Sequence, residues 1–385
     1  TAALTGPRSL FQLRGEPHRR HRQLIMPSFH GSRMRAYASA MQAITRDVIG
    51  SAVGSGRVVL HELTQRISLE VILRTVFGVQ DPARVKAFSE AIQRLVAAAN
   101  PLFMFMPFLQ RAPLGLGPWA RFRRAYDRLE QLLCEQLAIT RTRGQHGDTG
   151  EDVLSMLLQA RDESGDHLED EEIRDELRTL LFAGHETTAI ALCWAVDAVG
   201  RHPAVAERLA AELASLPDPE DPGANPGADA EALAKLPYLE AVCNESLRLY
   251  PIVTENLRGL HEPLELGDYH LRPPTAVSAS ILGVHMSPEL YPEPEEFRPE
   301  RFLERKYGPH EFLPFGGGHR RCIGAAFAGF ELRIVLGTLL REFTLKLCNP
   351  HAPRPVRRNV TLAPEGGVPV IITAERPGSV TAAAA

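Results

Sequence analysis

Lysine is nearly missing from this chain. Of 43 basic residues only Lys86, Lys235, Lys306 and Lys346 are not arginine, and 47 acidic residues bring the formal net charge to −4. Nothing global therefore points to nucleic acid as a partner. Cysteine is scarce and odd in number: Cys134, Cys193, Cys243, Cys322 and Cys348 lie far apart, without metal-type spacing. That excludes a disulfide scaffold and suits a reducing, cytoplasmic setting. Long apolar runs are also lacking. The most apolar stretch, 95–109, is interrupted by Asn100, Pro101 and Pro107 and is too short to span a bilayer. No leader-like apolar run opens the sequence, and no internal repeat is visible.

What is abundant is material for a core, since 44% of 385 residues are hydrophobic. Helical periodicity dominates. A basic helix is predicted over 16–37 with a break at Pro27, and further helices over 38–53, 61–77, 82–97 and 119–143. Residues 98–118, rich in Phe, Met, Leu and Pro, read equally as a lid over an apolar pocket and as ordinary core. The longest helix runs from Asp170, a potential cap, to Arg201 and stops before Pro203. At ~1.5 Å per residue it is ~45 Å long. Its middle, Ala183-Gly184-His185-Glu186-Thr187-Thr188, is poor in helix formers, and glycine there costs ~1 kcal/mol against alanine. A kink or groove is expected, unless the threonines merely bond back to i−4 carbonyls. Residues 216–230 read as a surface loop. Short strands are expected at 264–266, 276–280, 343–347, 360–362 and 368–372, with a turn at 364–367 and a disordered tail over 376–385. The fold class is mostly α with small β-sheets (α+β).

The most informative stretch is Phe315-Gly316-Gly317-Gly318-His319-Arg320-Arg321-Cys322-Ile323-Gly324. A cysteine just ahead of an apolar helix receives backbone N–H groups and the positive end of the helix dipole, which favour the thiolate. The three glycines permit unusual dihedrals and a close approach to a flat partner, and Gly324 keeps bulk off the same surface. Such a thiolate suits an axial ligand of haem iron. Taken singly with its three glycines, the cysteine reads more readily as a buried residue in a glycine loop. Phe315, Gly318, Arg320, Cys322 and Gly324 together resemble the haem-thiolate signature of the cytochrome P450 family, soluble bacterial type.

Four further motifs follow in that family's order. His18 and Arg22, one helical turn apart, resemble the pair that contacts the haem propionates; by composition alone they could equally form a solvated basic face. Arg19, Arg20 and His21 beside them would present a positive surface to an acidic redox partner. Glu186 and Thr187 fall on the acid–alcohol pair that delivers protons in the family's oxygen groove. Glu245 and Arg248, with Arg301 of Pro299-Glu300-Arg301-Phe302, resemble the buried cluster that holds the cysteine loop.

The resemblance implies a haem-thiolate monooxygenase with haem b on Cys322, its only metal ligand from the protein. Propionate contacts would come from His18, Arg22, Arg258 and Arg320, and further haem contacts from Phe315, Gly316, Gly324, Ala183 and Gly184. Ile252, Val253, Thr254, Glu365 and Gly366 would line the substrate pocket, and Glu186 and Thr187 would serve catalysis. The implied partners are O2, a ferredoxin or flavoprotein electron donor, and a lipophilic small molecule such as a fatty acid, terpenoid or polyketide. A monomer is expected. Family members carry a segment ahead of the basic helix, so residues 1–375 read as one haem-binding domain incomplete at its start. The rival readings are a peroxide-using relative, against which Glu186 and Thr187 argue, and a haem-binding sensor or carrier without turnover.

Overall fold

A computed structural model describes residues 2–29, 33–99, 116–148, 150–217, 226–373 and 380–381. The chain divides into two compact units, Thr1–Ile44 with Gln65–Glu186, and Thr45–Thr64 with Thr187–Ala385.

The first unit is helical among its described residues. It holds α1 (Ala2–Thr5), α2 (Gly15–Ile25), most of α3 (Arg33–Gly50) and of α4 (Leu60–Val71), α5 (Pro82–Ala98), α6 (Pro118–Gln145), α7 (Val153–Gln159) and the first half of α8 (Asp170–Arg201). Local chemistry fixes several of these ends. Asp81 caps α5 by accepting from the Ala83 N–H at 3.0 Å, with Pro82 at the first helical position. Asp152 caps α7 through the Ser155 N–H at 2.8 Å. The packed face of α5, with Phe88, Ile92 and Leu95, lies against α6, whose Leu129, Leu133 and Leu137 are buried. Phe77 meets Phe88 edge-on at 5.8 Å, and Trp119 stacks on Phe122 at 5.2 Å.

Four details at helix ends differ from the sequence expectation. The basic helix ends at Ile25 and passes into a 3-10 turn, Met26–Phe29, that contains Pro27. The next helix starts at Arg33, so Tyr37 belongs to it. The helix expected over 61–77 is α4 followed by a π-helical turn, Ile72–Val76. Asp170 does not cap α8: it is the first helical residue, and its carboxylate accepts from Arg141 at 2.6 Å.

The second unit holds the remainder of α3, α4 and α8, then α9 (Pro203–Leu213), α10 (Pro226–Ala234), α11 (Pro237–Leu249), α12 (Ile281–His285), α13 (Arg301–Glu304) and α14 (Ala325–Glu342). Its largest sheet has the order β1 (Arg57–Val59), β9 (Pro369–Thr373), β6 (Thr344–Leu347), β10 (Val380–Thr381). Alternation places Leu345 and Leu347 of β6 opposite Ile372 and Val370 of β9, all four buried. Three two-stranded pieces complete it: β2 (Glu255–Gly259) with β5 (Ala276–Ser280), β3 (Leu264–Leu266) with β4 (Tyr269–Leu271), and β7 (Pro355–Arg358) with β8 (Thr361–Pro364). From Thr188 to Gly200 α8 is entirely buried. Within it Trp194 donates to the Leu362 carbonyl at 3.1 Å and stacks flat on Tyr250 at 4.2 Å.

By length and composition α8 could cross a membrane. However, 72% of its most apolar window is buried inside the protein, the mark of a core helix. Part of the loop expected at 216–230 is helical, because α10 begins at Pro226 on an alanine-rich run. It docks on α14 where Gly337 has no side chain: a Cβ there would come within 2.8 Å of Leu233. Of the proposed lid at 98–118, residues 100–115 lie outside the described residues. Of the tail at 376–385, Val380–Thr381 form β10, parallel to β6, and the rest lies outside the described residues.

Candidate functional site

In the second unit, the cysteine stretch folds as a tight turn ahead of α14. Gly316 (φ +68°) and Gly318 (φ +63°) both take left-handed dihedrals, which side chains disfavour. The Cys322 N–H donates to the Phe315 carbonyl at 2.9 Å, closing the turn on itself. A single 3-10 turn, Gly318–Arg320, intervenes, and α14 begins at Ala325 with Gly324 as N-cap, two residues after Ile323, where the apolar run starts. Residues 317–322, Arg320 included, are all exposed, and a Cβ at Gly318 or Gly324 would meet nothing within 4 Å. Cys322 therefore stands on an accessible surface just ahead of a helix N-terminus. By contrast, burial pushes the Cys243 thiol up to about 12, which makes it inert.

Behind the turn lies a fully buried ionic cluster. Glu245, Arg248 and Arg301 are at most 2% exposed. Arg248 grips Glu245 with two bonds, Nε to Oε2 at 2.7 Å and Nη2 to Oε1 at 2.8 Å, and Arg301 Nε donates to Glu245 Oε1 at 3.0 Å. The Arg298 N–H adds a bond to the same oxygen at 2.9 Å. The remaining guanidinium donors fold the chain around themselves. Arg248 reaches the carbonyls of His285, Pro294 and Glu296, and Arg301 those of Pro292, Glu293 and Glu296. A planar fork that satisfies a carboxylate and several carbonyls at once is what makes buried arginine tolerable. His285, which the sequence reading did not single out, bridges the Arg248 carbonyl (Nδ1, 3.1 Å) and the Leu313 N–H (Nε2, 2.9 Å). Burial holds its pKa down, at about 4.

The motif in the middle of α8 is α-helical throughout. Gly184 is needed for close approach, since a Cβ would lie 2.8 Å from Ile72 Cδ1 in the π-helical turn. His185 bonds back to an i−4 carbonyl, that of Leu181, at 2.8 Å. Ala183, Gly184, Glu186 and Thr187 are half-buried while His185 and Thr188 are buried, so one face of the helix is accessible here. The Gln65 amide of α4 donates to the Glu186 carboxylate. No pattern in the sequence singles out Gln65, because its partner lies 121 residues away.

On α2, His18 is buried and Arg22 half-buried, on one helical face. The positive surface expected from Arg19, Arg20 and His21 does not form. His21 is buried, with Nδ1 2.8 Å from Glu176 and Nε2 3.2 Å from Glu172. Arg20 donates to Asp162 at 2.5 Å and to the His167 carbonyl. Only Arg19 is exposed, beside Glu16. The acidic residues of 162–176 neutralise this face, and no local pattern on α2 could reveal them.

The remaining predicted residues lie in the second unit. Arg258 is exposed on β2, with Nη1 donating to the Leu257 carbonyl at 2.9 Å. Ile252 is buried and Val253 and Thr254 half-buried. The Ile252 carbonyl accepts from Leu362 N–H at 2.8 Å and the Thr254 carbonyl from Ile281 N–H at 2.9 Å, which ties this segment to β8 and α12. Glu365 and Gly366 are exposed in a 3-10 turn between β8 and β9, and the adjoining Gly367 presses on Val59 and His61.

Known proteins resemble this chain along its length. A profile of the family described as Cytochrome P450 matches residues 2–369. Cytochrome P450 135B1 of Mycobacterium tuberculosis is 35% identical over 388 residues, covering 100% of this chain and 78% of that protein. Cytochrome P450 137 of the same species is 33% identical over 369 residues, 96% of this chain and 74% of that one. Among solved structures, cyanobacterial CYP120A1 with bound retinoic acid has a TM-score of 0.79 at 30% identity, covering 97% of this chain and 82% of that chain. The haem domain of cytochrome P450DA has a TM-score of 0.82 at 24% identity, covering 98% and 82%, and speaks to the fold alone.

Proposed function

The chain belongs to the cytochrome P450 family, and from that premise we propose which residues carry the reaction and what it acts on. The enzyme is a haem-thiolate monooxygenase, and its bound haem supplies the binding and reductive cleavage of O2. The balance is one O2, two electrons and two protons for one hydroxylated carbon and one water. Cys322 would hold the haem iron through its sulfur. The observation that carries this is its exposed thiol at the end of a glycine turn, closed by the Cys322 N–H bond to Phe315 and followed at once by a helix N-terminus. His18, Arg22, Arg258 and Arg320 are the candidates to hold the propionates, cationic or donor groups suited to carboxylates. Phe315, Gly316, Gly324, Ala183 and Gly184 would line the macrocycle.

Protons for the reaction are moved by this chain's own groups. The Glu186 carboxylate, held by the Gln65 amide, accepts protons from water and passes them on. The Thr187 hydroxyl holds the water that donates them.

The substrate is a lipophilic small molecule of the fatty acid, terpenoid or polyketide kind, and the electrons come from a ferredoxin or flavoprotein. Two things support this class: the apolar pair Ile252 and Val253, tied through the Ile252 carbonyl to Leu362 of the strand that leads into the turn at Glu365 and Gly366, and the retinoic acid bound by a relative that is 30% identical.

The test is spectroscopic. The purified protein with haem should give the thiolate-type absorption of the reduced carbon monoxide complex. Cys322→Ser should abolish it, while serine at Cys134, Cys193, Cys243 or Cys348 leaves it intact. Titration with retinoic acid and with long-chain fatty acids should shift the haem absorption of the oxidised protein. A thiolate-type spectrum in Cys322→Ser would sink the ligand assignment, and silence across all lipophilic probes would sink the substrate class.

A further inference from the structure

We infer that His285 is a positioning residue, which transmits the rigidity of the Glu245–Arg248–Arg301 cluster to the turn that carries Cys322. The inference rests on the reading of Cys322 as the haem ligand, but it stands on bonds of its own.

The tautomer of His285 follows from its partners. A backbone N–H can only donate, so Nε2, which meets the Leu313 N–H at 2.9 Å, carries no proton. Nδ1 then carries the hydrogen and donates to the Arg248 carbonyl at 3.1 Å. Arg248 answers through Nη1, which donates to the His285 carbonyl at 2.9 Å. The ring is 0% exposed, stacks on Phe312 at 5.6 Å and meets Tyr291 edge-on at 6.2 Å. Every polar atom of this histidine is thus committed, in one protonation state and one orientation.

The bonds beyond it lead to the sulfur-bearing residue. The Leu313 carbonyl accepts from the Gly316 N–H at 2.9 Å, and the Phe315 carbonyl accepts from the Cys322 N–H at 2.9 Å. The Leu313 bond is a link by which the geometry of the cluster, which His285 meets through the Arg248 carbonyl, reaches the turn. What this would serve is a Cys322 sulfur held at a fixed position where the haem would bind.

Three variants separate a positioning role from a merely structural one. His285→Phe keeps the ring and its stack but loses both bonds. In His285→Gln the amide oxygen lies where Nε2 was and can accept from Leu313. In His285→Asn the shorter amide reaches only the Arg248 carbonyl. Hydrogen exchange is measured across 313–322 in the haem-loaded protein and again after haem removal. The reduced carbon monoxide complex is followed over time in parallel.

The expectation is about two- to tenfold faster exchange at 313–322 in the Phe and Asn variants, the range of one lost neutral hydrogen bond. Their thiolate-type absorption should decay faster, while Gln stays near the parent in both and α14 amides are unchanged in all three. Equal behaviour of Gln and Asn would overturn the inference, as would parental exchange at 313–322 in the Asn variant. If His285→Phe does not fold, the Gln and Asn pair still decides. Should Cys322→Ser retain a thiolate-type spectrum, the ligand assignment fails instead, and exchange at 313–322 continues to judge His285.

Discussion

The residue whose surroundings say most about chemistry is Glu186, because its carboxylate is engaged by Gln65 on another helix while its neighbour Thr187 is half-buried on the same accessible helical face. Removing the Thr187 hydroxyl takes away little packing, so Thr187→Ala should bind haem and substrate as the parent does. It should nonetheless divert much of its reducing power to hydrogen peroxide, because a water that is no longer held delivers protons to the wrong place. Glu186→Gln should slow the whole cycle, and Gln65→Leu should fall between the two. Product formed and peroxide released per NADPH oxidised, measured with a surrogate ferredoxin system, decide this; tight coupling in Thr187→Ala would make the hydroxyl structural. Glu186 and Thr187 could be named from the sequence because they are adjacent in a recognisable string. Gln65 and His285 could not, since each acts through a partner far away in the chain, Glu186 for the one and Arg248 and Leu313 for the other.

At the scale of elements, strong periodicity was enough to locate the long helices, with α8 running from Asp170 to Arg201 as expected. The elements that escaped are short. β2, β4 and β7 are mostly exposed, so they carry no alternating apolar pattern to read. The split at Pro27 was visible, but the restart at Arg33 was not, because helix resumption after a 3-10 turn is set by packing. Packing also explains one glycine that sequence cannot. Gly337 lets α10 lie against α14, and valine there would force its branches into Leu233. Gly337→Val should cost about 1–3 kcal/mol, the usual penalty of overfilling a core, read from urea denaturation. Leu233→Ala in the same chain should recover part of it. An unchanged midpoint in Gly337→Val would mean the two helices part freely.

For the whole molecule, stability should be pH-dependent on the acid side for a reason that can be assigned. Burial, helped by the nearby Arg248 charge and opposed by the bond to the Arg248 carbonyl, holds His285 at about 4 against 6.5 for an ordinary histidine. Below 6.5 the unfolded chain takes up a proton that the folded chain refuses. Stability is therefore fully present above that pH and falls as pH drops toward 4, where this group's effect levels off. The difference converts to roughly 3 kcal/mol across that window. Denaturant midpoints measured from pH 7 to 4 should show the decline, and His285→Gln should flatten it; a slope unchanged by that substitution would show that other groups govern the acid limb.

The two tryptophans also give the molecule an internal pair of optical reporters. Trp119 is half-buried in the first unit and Trp194 fully buried in the second, lying flat against Tyr250. Emission from the indole shifts to longer wavelength as water reaches it, so the two rings report the loosening of different units without any label. With phenylalanine at 119, the remaining fluorescence follows the core of the second unit alone, the unit in which Cys322 lies.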